Sequence, residues 1–185
     1  MLNINLDKIT DLDFKTKEAY KTLRTNVQFC GNDVKIISLT SCVPNEGKSM
    51  VSFNLAISMA ETGKKVLFID ADLRKSVLIG RYKINKAIKG LTQYLSGVEQ
   101  LDDVRYSTNV KNMDLILSGP VPPNPAELLN NEKFTELLET ARKEYDYVII
   151  DTPPIGQVID PAIVAQQTDC LLYTSPSPRD RSVSR

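Results

Sequence analysis

Three short stretches carry the residue types that handle phosphate and metal. The first is Ser41-Cys42-Val43-Pro44-Asn45-Glu46-Gly47-Lys48-Ser49. A glycine followed by a lysine and a hydroxyl suits a polyphosphate. Gly47 lets the backbone come close, Lys48 reaches the terminal phosphates, and Ser49 places its hydroxyl on a magnesium ion. The second is Asp70-Ala71-Asp72-Leu73-Arg74. Its two carboxylates are two residues apart and face the same way in an extended chain. Beside a triphosphate they supply a metal ligand and a group that orients or deprotonates a nucleophile. The third is Asp151, at the end of the apolar run Val148-Ile149-Ile150. An apolar strand ending on an acid is the arrangement that holds magnesium near a γ-phosphate. Histidine is absent from the chain. Ser-His and Cys-His nucleophile schemes are therefore excluded, and proton transfer falls to carboxylates, lysines or tyrosines.

Each stretch needs an element to position it. Val34-Lys35-Ile36-Ile37-Ser38-Leu39-Thr40 reads as a buried strand, and Met50 to Thr62 reads as a helix, free of Pro and Gly. Strand, turn, Gly-Lys-Ser and helix make up the context of a phosphate loop. The first N–H groups of a helix lack partners inside it and its dipole is positive there, so a polyphosphate can sit on them. The loop departs from the usual pattern at Cys42, where a glycine is expected. Val66-Leu67-Phe68-Ile69 and Val148-Ile149-Ile150 each run straight into an aspartate, as buried parallel strands with acids at their carboxyl ends. Alone, Gly-Lys-Ser is common; with two strand-acid motifs in the same chain it argues for nucleotide chemistry.

The remaining elements follow from periodicity. Phe14 to Cys30 reads as a helix with Tyr20, Leu23, Val27 and Cys30 on one apolar stripe. Gly90 to Gly97 encloses a short helix. Leu101 to Asn112 is mixed and polar, a helix or loop returning to the sheet, and Met113 to Leu117 is a third strand. Ser118 to Pro125 carries four prolines and reads as a stiff surface segment, with Asn124 as N-cap and Pro125 at the first helical position of the next helix. A further helix spans Glu132 to Glu144 with Phe134, Leu137, Leu138 and Ala141 inward. Asp160 starts another helix, and a strand begins at residues 168–173. Together these describe an α/β fold with a mostly parallel central sheet and helices on both faces. Residues 1–12 read as a flexible arm and 13–173 as the domain. Residues 174–185 read as a disordered or artefactual tail, with three arginines, one aspartate and one apolar residue in twelve.

Composition limits the partners. The 185 residues carry 23 basic and 23 acidic side chains, so nothing in bulk charge favours nucleic acid or an anionic membrane. No apolar run is long enough to cross a membrane, and the N-terminus lacks the form of a signal peptide. Cys30, Cys42 and Cys170, odd in number and widely spaced, suit free thiols in a reducing cytoplasm.

From about Thr16 to Tyr173, the chain resembles the bacterial tyrosine kinases of capsule and exopolysaccharide biosynthesis. These are P-loop enzymes related in fold to the MinD/ParA-like cell-division and partition ATPases. The resemblance rests on the phosphate loop, on Val66 to Arg74 (the Walker A′ motif), on Val148 to Pro154 (Walker B), and on Gly119-Pro120-Val121-Pro122-Pro123-Asn124-Pro125-Ala126-Glu127-Leu128-Leu129. It implies that Asn45, Glu46, Gly47, Lys48, Ser49 and Met50 bind ATP, and that Ser49, Asp151 and Asp70 hold Mg2+. It implies that Asp72 orients or deprotonates an incoming tyrosine hydroxyl, so that Lys48, Asp70, Asp72 and Asp151 form the catalytic set. Glu18, Lys21 and Arg24 match a Glu-x-x-Arg-x-x-Arg motif for ring assembly, with Lys21 replacing the first arginine and losing its forked contact. The family's tyrosine-rich tail, phosphorylated between subunits, and its last strands and helices have no counterpart here, which leads us to expect a domain incomplete at its C-terminal end. Members without their own membrane segment are switched on by a transmembrane activator of polysaccharide co-polymerase type. That implies a cytoplasmic chain recruited to the inner face of the membrane, acting on protein tyrosines including its own. An ATPase switch of MinD/ParA type, or a truncated non-catalytic kinase domain, is the alternative. The switch proteins carry a further lysine early in the phosphate loop, where this chain has Ser41-Cys42-Val43.

Overall fold

The computed structural model describes residues 2–6, 12–31, 33–82, 84 and 88–174. Its elements run β1 (Leu2–Ile4), α1 (Phe14–Phe29), β2 (Ile36–Ser41), α2 (Lys48–Ala60), β3 (Val66–Asp70), α3 (Leu78–Arg81), α4 (Leu91–Leu95) and α5 (Leu101–Val104). They continue as β4 (Arg105–Thr108), β5 (Met113–Ile116), α6 (Pro125–Leu129), α7 (Glu132–Glu144), β6 (Tyr147–Asp151), α8 (Asp160–Ala165) and β7 (Cys170–Thr174).

The strands form one sheet in the order β1-β4-β5-β3-β6-β2-β7. From β5 to β7 neighbours are parallel, and only the β4–β5 pair is antiparallel. The central strands are buried over their whole length, as their unbroken apolar runs require. Alternation sorts their side chains between two cores. Ile37, Leu39, Val66, Phe68 and Ile149 meet Phe53 and Met59 of α2 on one face. Ile36, Leu67, Ile69, Val148 and Ile150 meet Phe134, Leu137 and Leu138 of α7 on the other. Helices thus cover both faces, as the sequence implies.

Five expectations change. The N-terminal arm is not loose where it is described. Leu2–Ile4 pairs in parallel with β4 at the sheet edge, and Ile4 and Leu6 are buried. The Leu6 N–H donates to Asn109 Oδ1 at 3.0 Å. Apolar residues at positions 2, 4 and 6 fit a strand face, and residues 7–11 lie outside the described set. The stretch after Leu101 is a single helical turn that becomes β4. Cys30 is exposed, leaving Leu23 and Val27 to carry the inward stripe of α1 into the core. Thr174, assigned to the tail, is the last residue of β7 and pairs with Ser41; residues 175–185 lie outside the described residues. Asn124 is the N-cap of α6 with Pro125 at its start, but its amide donates to Glu127 instead of capping the helix.

Candidate active site

β2 ends at Ser41 and α2 begins at Lys48, so six residues turn the chain between them. The turn is possible because Asn45 and Gly47 take left-handed backbone angles, φ 67° and 79°. Asparagine and glycine are the residues that tolerate this region best. Gly47 is the N-cap of α2 and makes no side-chain cap, so the first N–H groups of the helix are left for a ligand. A Cβ at Gly47 would meet no atom within 4 Å, which shows open space above the loop. That space belongs to a cavity of about 320 Å³ lined by Asn45, Glu46, Gly47, Lys48, Ser49 and Met50. Asp72 and Arg74 form part of its wall, with Pro153, Pro154 and Gln157 beside them. All six phosphate-binding residues expected from the sequence therefore line one cavity.

Lys48, in the cavity lining, meets Asp151 of β6. Nζ of Lys48 lies 2.6 Å from Oδ1 of Asp151 and 3.1 Å from Oγ of Ser49. Both ends of the ion pair are buried. Ser52, one turn along α2 from Lys48, donates to the same carboxylate oxygen at 3.0 Å. Burial still holds the Asp151 carboxyl above the usual carboxylate range, against the pull of Lys48, Ser49 and Ser52.

Asp70 stands next to Asp151 across the sheet, its direct partner in the parallel β3–β6 register. It is fully buried. Burial pushes its carboxyl up to about 7, the charges of Asp151 and Asp72 add to the push, and a hydrogen bond from Ser76 opposes it. Negative charge packed into a dry site with one lysine fits a divalent cation. Among the described residues no three His, Cys, Asp or Glu side chains form a metal cage. Ser49, Asp70 and Asp151 are the side chains here that could hold such an ion, with phosphate oxygens and water completing its shell.

Asp72 lines the cavity, which Asp70 and Asp151 do not. Its N–H donates to Asp70, and its own Oδ1 accepts from the N–H groups of Arg74 and Lys75 at 3.2 and 2.9 Å. The turn fixes the carboxylate on the cavity wall. Arg74 reaches across to Asp160 with a two-pronged contact.

The loop after β6 is fastened to the end of β2, just before the phosphate loop. Thr152 N–H donates to Leu39, Ile155 N–H donates to Ser41, and the Thr40 hydroxyl donates to Pro153. Gly156 packs so closely that a Cβ there would lie 2.4 Å from the Cys42 carbonyl oxygen. Sequence reasoning missed Ser52, Ser76, Arg74–Asp160 and Gly156. Ser52 carries a usable signal, four residues after Lys48 and so on the same helix face.

Glu18, Lys21 and Arg24 lie elsewhere, on α1. Lys21 pairs with Glu18 at 2.7 Å on an exposed face. Arg24 turns inward and donates to the Ser58 carbonyl of α2 at 2.7 Å.

Residues 34–176 match the AAA domain family. The tyrosine-protein kinase CpsD of Streptococcus agalactiae serotype III (strain NEM316) is 47% identical over 165 residues, covering 89% of this chain and 71% of that protein. The chain belongs to the bacterial tyrosine-protein kinases. Among solved structures, the kinase domain of the Escherichia coli tyrosine kinase ETK superposes with a TM-score of 0.83 at 34% identity, covering 96% of this chain and 74% of that one. The septum site-determining protein MinD of Pyrococcus horikoshii, complexed with Mg-ADP, gives a TM-score of 0.65 at 25% identity, over 77% of this chain and 58% of that one. The chain thus shares its fold with that protein. Among the described residues, no helix is long and apolar enough to cross a membrane.

Proposed function

We propose that this chain is an Mg-ATP-dependent protein-tyrosine kinase that phosphorylates copies of itself in trans and so regulates capsule or exopolysaccharide polymerisation and export. The observation that carries the reading is the position of Asp72, on the wall of the same cavity as Lys48 and the phosphate loop. A carboxylate there can accept the proton of a tyrosine hydroxyl aligned with a γ-phosphate. Positioning supplies most of the catalysis in phosphoryl transfer, so an ordinary carboxylate is enough. Lys48, the N–H groups of 45–49 and Met50 bind the ATP phosphates. Ser49, Asp70 and Asp151 hold the magnesium ion, which neutralises charge on the transferred group.

In this reading Glu18, Lys21 and Arg24 contact a neighbouring copy in a ring, and the Arg24–Ser58 bond exchanges for that contact. A transmembrane partner of polysaccharide co-polymerase type recruits the chain to the inner face of the membrane and activates it. Residues 13–173 act as the kinase domain.

The test is phosphotransfer from γ-labelled ATP, read with anti-phosphotyrosine detection, to a tyrosine-rich peptide. The partner's cytoplasmic segment is present. Wild type, Lys48→Met and Asp72→Asn run in parallel. Phosphotyrosine in wild type and its loss in both variants is the expected result. Free phosphate without phosphotyrosine would replace the kinase by an ATPase switch.

A further inference from the structure

Arg74 bonds two carboxylates at once, through different parts of itself. Its main-chain N–H donates to Asp72 Oδ1 at 3.2 Å. Its guanidinium holds Asp160, Nε to Oδ2 at 2.8 Å and Nη2 to Oδ1 at 3.0 Å. Asp160 opens α8 and is fully buried, while Arg74 remains partly open to the cavity. A buried carboxylate needs a partner, and the arginine fork meets it with two parallel bonds that a lysine cannot reproduce. The two residues are 86 positions apart, so the contact joins separate parts of the fold.

The parts it joins are those that bound the cavity. On one side is the turn after β3, which carries Asp72. On the other is the segment from Thr152 to Ile159, anchored to β2 at Thr152 and Ile155 and entering α8 at Asp160. Besides β3 and its own Asx-type bonds, the turn holding Asp72 is tied by the Ala71 N–H to the Asp151 carbonyl and by the buried Leu73; the fork is the side-chain tie on its far side, just after Asp72. We propose that Arg74 and Asp160 are a positioning pair, in which the guanidinium is spent on Asp160 and so locks the Asp72 carboxylate against the wall of the phosphate cavity. This rests on the assignment of Asp72 as the group that receives the acceptor hydroxyl.

Conservative substitutions test it. Arg74→Lys keeps the charge and removes the fork, and Asp160→Asn keeps the shape and removes the charge. The full chain carries each change singly and both together, with Asp72→Asn as reference. Lys89→Gln, which breaks the half-buried Lys89–Glu99 pair away from the cavity, is the control. Three quantities are read: kcat and KM for ATP with a tyrosine peptide acceptor, affinity for a fluorescent ADP analogue, and the melting temperature. Both single variants should lose about 10- to 100-fold in kcat, the scale of a displaced catalytic group. KM for ATP and nucleotide affinity should stay within about twofold, since the phosphate loop is untouched. The double variant should be no worse than the poorer single, because one contact is broken only once.

Unchanged kcat in both single variants, with Asp72→Asn inactive, overturns the positioning pair alone. So do losses that multiply in the double variant. A fall in kcat matched by an equal fall in nucleotide affinity or folded fraction makes the pair a general anchor of α8 and also overturns it. Phosphotransfer retained in Asp72→Asn overturns the assignment of Asp72, and the pair with it.

Discussion

Lys48 of the phosphate loop is held by Asp151 of the neighbouring strand, Nζ to Oδ1 at 2.6 Å, with both groups buried. Under the proposed function, the lysine that meets the nucleotide is therefore already committed to the carboxylate that meets the magnesium. Removing one partner of a buried pair leaves the other uncompensated, at a cost of about 3 kcal/mol. Lys48→Met should accordingly lower the melting temperature as well as abolish phosphotransfer. The shift should be about 6–12 °C for a chain of this size. Adding Asp151→Asn should recover much of the loss, because no buried charge then stands alone. Thermal denaturation of the two variants without nucleotide measures this. A Lys48→Met protein as stable as wild type would mean that the pair contributes nothing to folding.

Ser76 donates to Asp70, the most deeply buried carboxylate of the site. Under the proposed function it acts on magnesium through Asp70. Partners of this kind commonly change metal affinity 10- to 100-fold. Ser76→Ala should raise the magnesium concentration for half-maximal phosphotransfer by about tenfold, with the rate at saturating magnesium largely kept. A magnesium titration at fixed ATP reads both values. Chelation of the metal should stop the reaction in wild type and variant alike.

The sheet order could not be read from the chain, but most of its parts could. β3 and β6 are legible because four and three apolar residues run into an acid, and α7 because Phe134, Leu137, Leu138 and Ala141 keep the helical period. The phosphate loop is legible from Gly47-Lys48-Ser49 between a strand and a helix. β1 was missed because three residues give almost no period, and its partner lies about a hundred positions away. Arg74–Asp160 and Gly156–Cys42 were missed for the same reason. Nothing near Arg74 in sequence announces Asp160, and close backbone approach leaves no pattern beyond the glycine itself.

Gly156 seats the loop after β6 against the first residue of the phosphate loop. A Cβ there would lie 2.4 Å from the Cys42 carbonyl oxygen, which is backbone and has little freedom to move. Gly156→Ala should displace the phosphate loop and weaken nucleotide binding by about tenfold, the low end of the ~1–3 kcal/mol that overpacking costs. Gly80 is the comparison, since a Cβ there meets nothing within 4 Å. Gly80→Ala should leave binding unchanged and raise stability by about 0.4–1 kcal/mol through the unfolded chain. Fluorescent-nucleotide titration and urea unfolding of the pair separate the two effects.

Asp169 ties the start of β2 to α7. Its Oδ2 accepts from the N–H groups of Lys35 and Ile36 at 2.9 and 2.8 Å, and its Oδ1 from Arg142 at 2.6 Å. Partial burial alone would raise its carboxyl, but Arg142 and the two amides outweigh that and hold it below its usual 3.8. A depressed carboxylate binds fewer protons folded than unfolded, so its contribution is complete above pH 3.8 and is lost as pH falls through its lowered value. Asp169→Asn keeps an oxygen for the amides and removes the charge. At pH 6 the variant should be less stable than wild type by about 1 kcal/mol, a charge-assisted bond discounted for its exposure to water. As pH falls below about 4 the gap should close, because wild type loses the charge that Asn lacks. Urea midpoints for both proteins from pH 6 to pH 3 measure the gap. A gap constant across that range would assign the contact to its shape instead of its charge.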